Sequence, residues 1–105
     1  MKFVNRGYII IQPKEAFINW ANEHDTDFSE LEDNEPNVYL IEEDFYDDET
    51  VLKSYFKDIF ANELLAITDN ESKFPPIKWE IFNEWFDVRL GATVFDAEDK
   101  DLLAD

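Results

Sequence analysis

Leu52, Tyr55, Phe56, Ile59, Phe60, Leu64 and Ile67 recur at helical spacing, and a stripe that broad must be covered by something else in the chain. The spacing predicts a helix over roughly 48–67, with Lys53, Lys57, Asp58 and Asn62 off the stripe. Asp47 is placed to cap its start, and Asp48 and Glu49 lie where the helix dipole favours negative charge. Glu49 and Lys53 form a favourably oriented i,i+4 pair.

The rest of the chain supplies the cover. Tyr8 to Ile11 is a continuous, mostly β-branched run, which fits a strand buried on both faces. Gln12-Pro13 closes it and opens a second helix, with Pro13 suited to the first helical position and Ala16, Phe17, Trp20 and Ala21 on one face, which His24 extends. The segment 25–37 is acidic and reads as a loop, pinned by Phe28 and Leu31 through a single turn. Val38 to Ile41 is a second short strand. Ile77 to Phe86 reads as a third helix, with Trp79, Phe82, Trp85 and Phe86 on one side. Val88, Leu90, Ala92 and Val94 then alternate with Arg89, Gly91, Thr93 and Phe95 at strand period. The order β-α-β-α-α-β implies a two-layer α+β domain over 1–96, with a small three-stranded sheet and the helices mainly on one face. Its first two strands are expected to form a right-handed parallel pair. An acidic tail, 97–105, follows, in which Leu102 and Leu103 alone are apolar enough to pack.

Charge narrows the function classes. The 105 residues carry a formal net charge of −17, yet ten Phe, four Tyr and three Trp mark a folded domain rather than an acidic disordered tail. Between Lys14 and Lys53 there is no Lys or Arg, while fourteen Asp and Glu occur. Such a surface repels phosphate and anionic lipid, so direct nucleic-acid or membrane binding is not expected. It attracts cations and basic proteins. The four-residue apolar run near the N-terminus is too short for a signal-peptide core or a membrane span, and a cytoplasmic setting is the default expectation.

Specific chemistry finds little support. Cysteine is absent and His24 is the single histidine, so thiolate sites, zinc sites and imidazole-based triads lack their parts. An EF-hand loop fails at Asp44, where Tyr46 occupies the next ligand position, and again at Asp96, where Lys100 stands in the third. No metal and no cofactor is expected. A carboxylate-based enzyme or small-molecule-binding domain would use Glu63 and Glu84, each flanked by apolar or aromatic residues, with Lys14 and Arg89. No catalytic residue is assigned.

The run Phe82-Asn83-Glu84-Trp85-Phe86-Asp87-Val88, followed by Val94 and Asp96, resembles a family of small acidic bacterial proteins of unknown function. Gln12-Pro13-Lys14 with Phe17 and Trp20, Val38-Tyr39-Leu40-Ile41, Ile59 to Leu64 and Thr68-Asp69 extend the likeness over most of the chain. Phe74-Pro75 stands where such proteins tend to read Trp-Pro. The resemblance implies a compact bacterial domain and no particular activity.

The leading expectation is a non-enzymatic interaction protein that contacts a basic macromolecular partner, in a regulatory, inhibitory or immunity-like role. Its partner-binding residues are expected to be Glu42, Glu43, Asp44, Phe45 and Tyr46, where a strand leaves the sheet and acids flank two exposed rings. A DNA mimic is a narrower alternative, and the protein is expected to be a monomer or a homodimer joined through the sheet near an exposed Phe95. Acids crowded into one half repel each other more in the folded state than in the expanded chain. Raising monovalent salt from ~0.01 M to ~0.15 M, which shortens the Debye length from ~30 Å to ~8 Å, should therefore raise Tm in a scanning-fluorescence melt. A flat or falling Tm would mean that local pairing already offsets the acids.

Overall fold

The structure, a computed structural model, describes residues 1–25, 34–98 and 100. In chain order its elements are β1 (Lys2–Val4), β2 (Gly7–Pro13), α1 (Glu15–His24), β3 (Asn37–Ile41), α2 (Asp48–Leu65), a 3₁₀ turn (Glu71–Lys73), α3 (Trp79–Trp85), β4 (Phe86–Gly91) and β5 (Val94–Asp96). This is the α+β domain expected, with differences that have physical causes. Phe28, Leu31, Leu102 and Leu103 lie outside the described residues.

β2 is the centre of a three-stranded sheet in the order β3-β2-β4, and both pairings are antiparallel. The parallel first pair expected from the sequence is therefore incorrect. Residues 25–36 intervene between α1 and β3, and that length can return the chain to the far end of the sheet before β3 begins. β2 is not buried on both faces either. Gly7, Ile9, Ile11 and Pro13 are buried, while Tyr8, Ile10 and Gln12 between them are half-buried on the open side. The helices pack on the first set.

A two-stranded ribbon, β1 with β5, extends the sheet. Val4 pairs with Val94 and Tyr8 with Gly91, so residues 5–7 on one side face only 92 and 93 on the other. That extra residue is a β-bulge, taken up where the Arg6 N–H donates to the Val4 carbonyl at 2.8 Å. It breaks into two the single C-terminal strand read from the sequence. The Phe3 and Phe95 rings meet edge-on, both exposed.

Helix boundaries shift where backbone chemistry decides. Pro13 ends β2 instead of starting α1, and its partner across the ladder is Phe86. Phe86 in turn is already strand, because the Lys14 N–H donates to the Trp85 carbonyl at 2.8 Å and ties the end of α3 to the start of α1. The stripe of α2 is covered as expected: Leu52, Phe56, Ile59, Phe60 and Leu64 are buried with Ile9, Ile11, Phe17, Phe82 and Phe86.

Aromatic rings form the centre of this layer. Phe82 contacts the rings of Phe56, Phe60, Trp79 and Phe86, with centroids 5.4 to 6.3 Å apart. Trp85 joins Phe60 to Phe17 and Trp20. The Trp20 indole donates to the Lys73 carbonyl at 3.0 Å, which fixes the 3₁₀ turn to α1. Phe82 is fully buried, so Phe82→Ala removes ring contacts to α2, to the start of α3 and to β4. A loss of ~3–5 kcal/mol is expected in urea unfolding, a large part of the ~5–15 kcal/mol that holds a typical domain.

Candidate functional site

The loop from Glu42 to Asp47 joins β3 to α2, and two of its residues are anchored. Asp47 caps α2: the Thr50 N–H and hydroxyl both donate to its Oδ2, at 3.1 and 2.6 Å. These bonds hold the exposed Asp47 carboxyl below its usual range. The other anchor is Phe45, which is half-buried against the core cluster. Its ring reaches the start of β2, where a Cβ on Gly7 would lie 3.0 Å from the Phe45 ring and 2.9 Å from the Glu42 carbonyl oxygen. Gly7 is needed because the loop backbone crosses there.

The expectation of two exposed rings is thus half correct. Tyr46 stands fully in solvent, whereas Phe45 is an anchor. Glu42, Glu43 and Asp44 are exposed and form no ion pair among the described residues. Glu49 and Lys53 do pair, at 3.6 Å, with the Lys53 ammonium also 5.2 Å from the centre of the Trp79 ring. That pair lies on another side of α2 from the loop.

A second site was only half legible in the sequence. Glu63 is 3 % exposed, the one charged residue among those buried in the described chain. Its carboxylate accepts from the Asn37 side-chain amide at 2.8 and 3.1 Å and from the Tyr39 hydroxyl. The Asn62 amide donates to the Tyr39 oxygen at 2.9 Å. Burial, then the bond to Glu63, pushes the Tyr39 phenol well above the ordinary tyrosine range, so it remains a donor. Confining a carboxylate costs several kcal/mol, and charge-assisted bonds from neutral donors offset it. The result is a latch that ties strand β3 to helix α2. Glu63 was singled out as a catalytic candidate, but Asn37 and Tyr39 were not. Their pairing with it spans 26 and 24 residues, beyond any local pattern.

The four residues of the carboxylate reading do not converge. Glu84 is exposed on α3. Lys14 lines an open hollow of 430 Å³ beside Trp79, with its ammonium 3.2 Å from the Asn83 carbonyl and 3.8 Å from Asp87. Arg89 lies opposite Ile10 on the sheet face away from the helices. His24 turns inward, its Nδ1–H donating to the Trp20 carbonyl at 2.8 Å. Among the described residues no three His, Asp or Glu side chains gather as metal ligands, and no helix is long and apolar enough to cross a membrane.

Two hollows follow the side of α2 that faces β3 and the loop. One, of 350 Å³, lies between Tyr39, Leu40 and Ile41 on the strand and Tyr55, Asp58, Ile59 and Asn62 on the helix. The next, of 460 Å³, lies between the loop from Glu42 to Asp47 and the helix turn carrying Thr50, Val51 and Ser54. No protein-family model, curated protein or solved structure matches the chain, so the family resemblance rests on the quoted residues alone.

Removing the Tyr39 hydroxyl should cost stability without unfolding the chain, because Asn37 continues to donate to Glu63. Tyr39→Phe is expected to lose stability toward the lower end of ~1–3 kcal/mol at pH 7 in urea unfolding. The sign with pH follows from the raised phenol: its contribution is complete below about pH 10, where an unfolded tyrosine ionises, and falls as the pH climbs beyond it. The gap between wild type and Tyr39→Phe should therefore narrow at pH 11. A constant gap would mean that the phenol does not support the latch.

Proposed function

We propose that this is a non-enzymatic interaction protein whose acidic loop between β3 and α2 contacts a basic macromolecular partner. The observation that carries the reading is the way the loop is held. Phe45 and the Asp47 cap anchor its second half, with the Tyr46 ring exposed between them, and before them Glu42, Glu43 and Asp44 face solvent without ion-pair partners among the described residues.

The physical gain for such a surface is kinetic. A net charge of −17 raises the encounter rate with a positively charged protein and repels competing anions. Tyr46 adds an aromatic face for Lys or Arg. Regulation or inhibition of a cationic protein in the cytoplasm, including the immunity-like case, is the biological form of this reading.

The test begins with affinity capture from a native lysate, eluted by a salt gradient, and continues with purified partner in stopped flow. Replacing Glu42, Glu43 and Asp44 with Gln, Gln and Asn should leave Tm within a few degrees and slow association several-fold at low salt. Asp47→Ala should do the reverse, lowering Tm through loss of the cap and changing association little. An unchanged association rate for the triple variant would reduce the loop to a solvated turn.

A further inference from the structure

The geometry points to one mode of contact, and it rests on the reading just given: an extended Lys- or Arg-bearing segment of the partner adds as a strand to the outer edge of β3, in the groove between β3 and α2. β3 ends the sheet order, and among the described residues no strand pairs with its outer side. The hollow beside it is lined by three consecutive strand residues, Tyr39, Leu40 and Ile41. Their side chains alternate between the two faces of the sheet, so a hollow touching all three follows the strand's edge rather than a face. The opposite wall is the side of α2 that carries Tyr55, Ile59 and Asn62. An edge strand facing a helix across an apolar groove is the physical setting for strand addition: main-chain hydrogen bonds supply affinity, and alternate side-chain pockets supply specificity.

Length and charge define the occupant. The two hollows run along α2 from Thr50 to Asn62. At 1.5 Å per residue that is about 18 Å, the length of a strand of about five residues. β3 itself has five residues. Asp58, Glu42, Asp44 and Asp47 line the groove, and no Lys or Arg does. Lys53 is turned away from both hollows, toward Glu49 and the Trp79 ring.

A second copy of this chain fits poorly. Pairing two β3 strands antiparallel about Tyr39 would set Glu35 opposite Glu43 of the second copy, and like charges facing across strands are destabilising. β3 carries no Lys or Pro within its span to discourage pairing with other chains. Its flanking acids instead select by charge, admitting a basic strand and turning away another acidic one.

The probe is a seven-residue peptide, Lys-Ile-Lys-Val-Lys-Ile-Lys, capped at both ends, titrated into the ¹⁵N-labelled full chain at low salt. Controls carry Glu for every Lys, or N-methyl groups on the odd or on the even residues. Expected are amide shifts at Val38 to Ile41, at least tenfold weaker binding of the Glu peptide, and at least a tenfold loss for one methylated peptide but not the other. Only the edge facing β3 needs its N–H groups. If both methylated peptides bind like the parent and shifts are confined to Glu42–Asp47, strand addition is overturned while the basic-partner reading stands. If the Lys and Glu peptides bind alike, or neither binds, both are overturned. Concentration-dependent broadening at β3 without peptide would overturn the proposal in favour of self-association.

Discussion

Glu63 sits at 3 % exposure on α2, and a carboxylate so deeply placed has to be surrounded by donors. Those donors come from one strand. Asn37 and Tyr39 are two residues apart on β3 and so point to the same face, toward the helix, where both reach the one carboxylate. Through them β3 is fixed to α2 as well as to β2. With the strand fixed, the loop after it must start beside α2, and a few residues later Asp47 caps that same helix. The space left between strand edge, loop and helix is the groove. Had Glu63 been apolar, the bond from Asn62 to the Tyr39 oxygen would have been the one remaining side-chain hydrogen bond between β3 and α2 among the described residues.

The charge distribution gives that arrangement a direction. Fourteen acids and no Lys or Arg lie between Lys14 and Lys53 in the sequence, and among the described residues Glu42, Glu43, Asp44 and Asp47 concentrate negative potential in the loop before α2. Lys53 of α2 is placed away from it, paired with Glu49 and lying over Trp79. Glu63 accepts from two neutral donors, Asn37 and Tyr39, and is almost closed off from solvent. Apolar walls beside acidic rims keep the field less screened than it would be on an open surface.

Much of the fold was legible in the sequence because it is local. The stripe of α2, the Asp47 cap, the Glu49–Lys53 pair and the apolar run of β2 each follow from residues within a turn or a few positions of one another. What was not legible depends on long-range geometry. The sheet is antiparallel, and the length of the connection after α1 permits either direction of β3 without dictating one. β1 is three residues long and is joined to β2 through a bulge that disrupts the alternation. At the candidate site, the acids and Tyr46 were visible as an exposed run, but the inward turn of Phe45 depends on long-range packing, against the core and close to Gly7, far away in sequence. The latch combines one residue that was noticed with two that were not, since Asn37 and Tyr39 read as ordinary strand positions.

Amide hydrogen exchange of the free protein tests most directly whether the latched β3 leaves an open outer edge. In an antiparallel edge strand, alternate N–H groups point to the neighbour and away from it. Across Val38, Tyr39, Leu40 and Ile41, amides bonded to β2 should exchange slowly and those between them at nearly the rate of an unfolded chain. Slow exchange at all four residues would show that the outer edge is already covered, and would contradict the open groove.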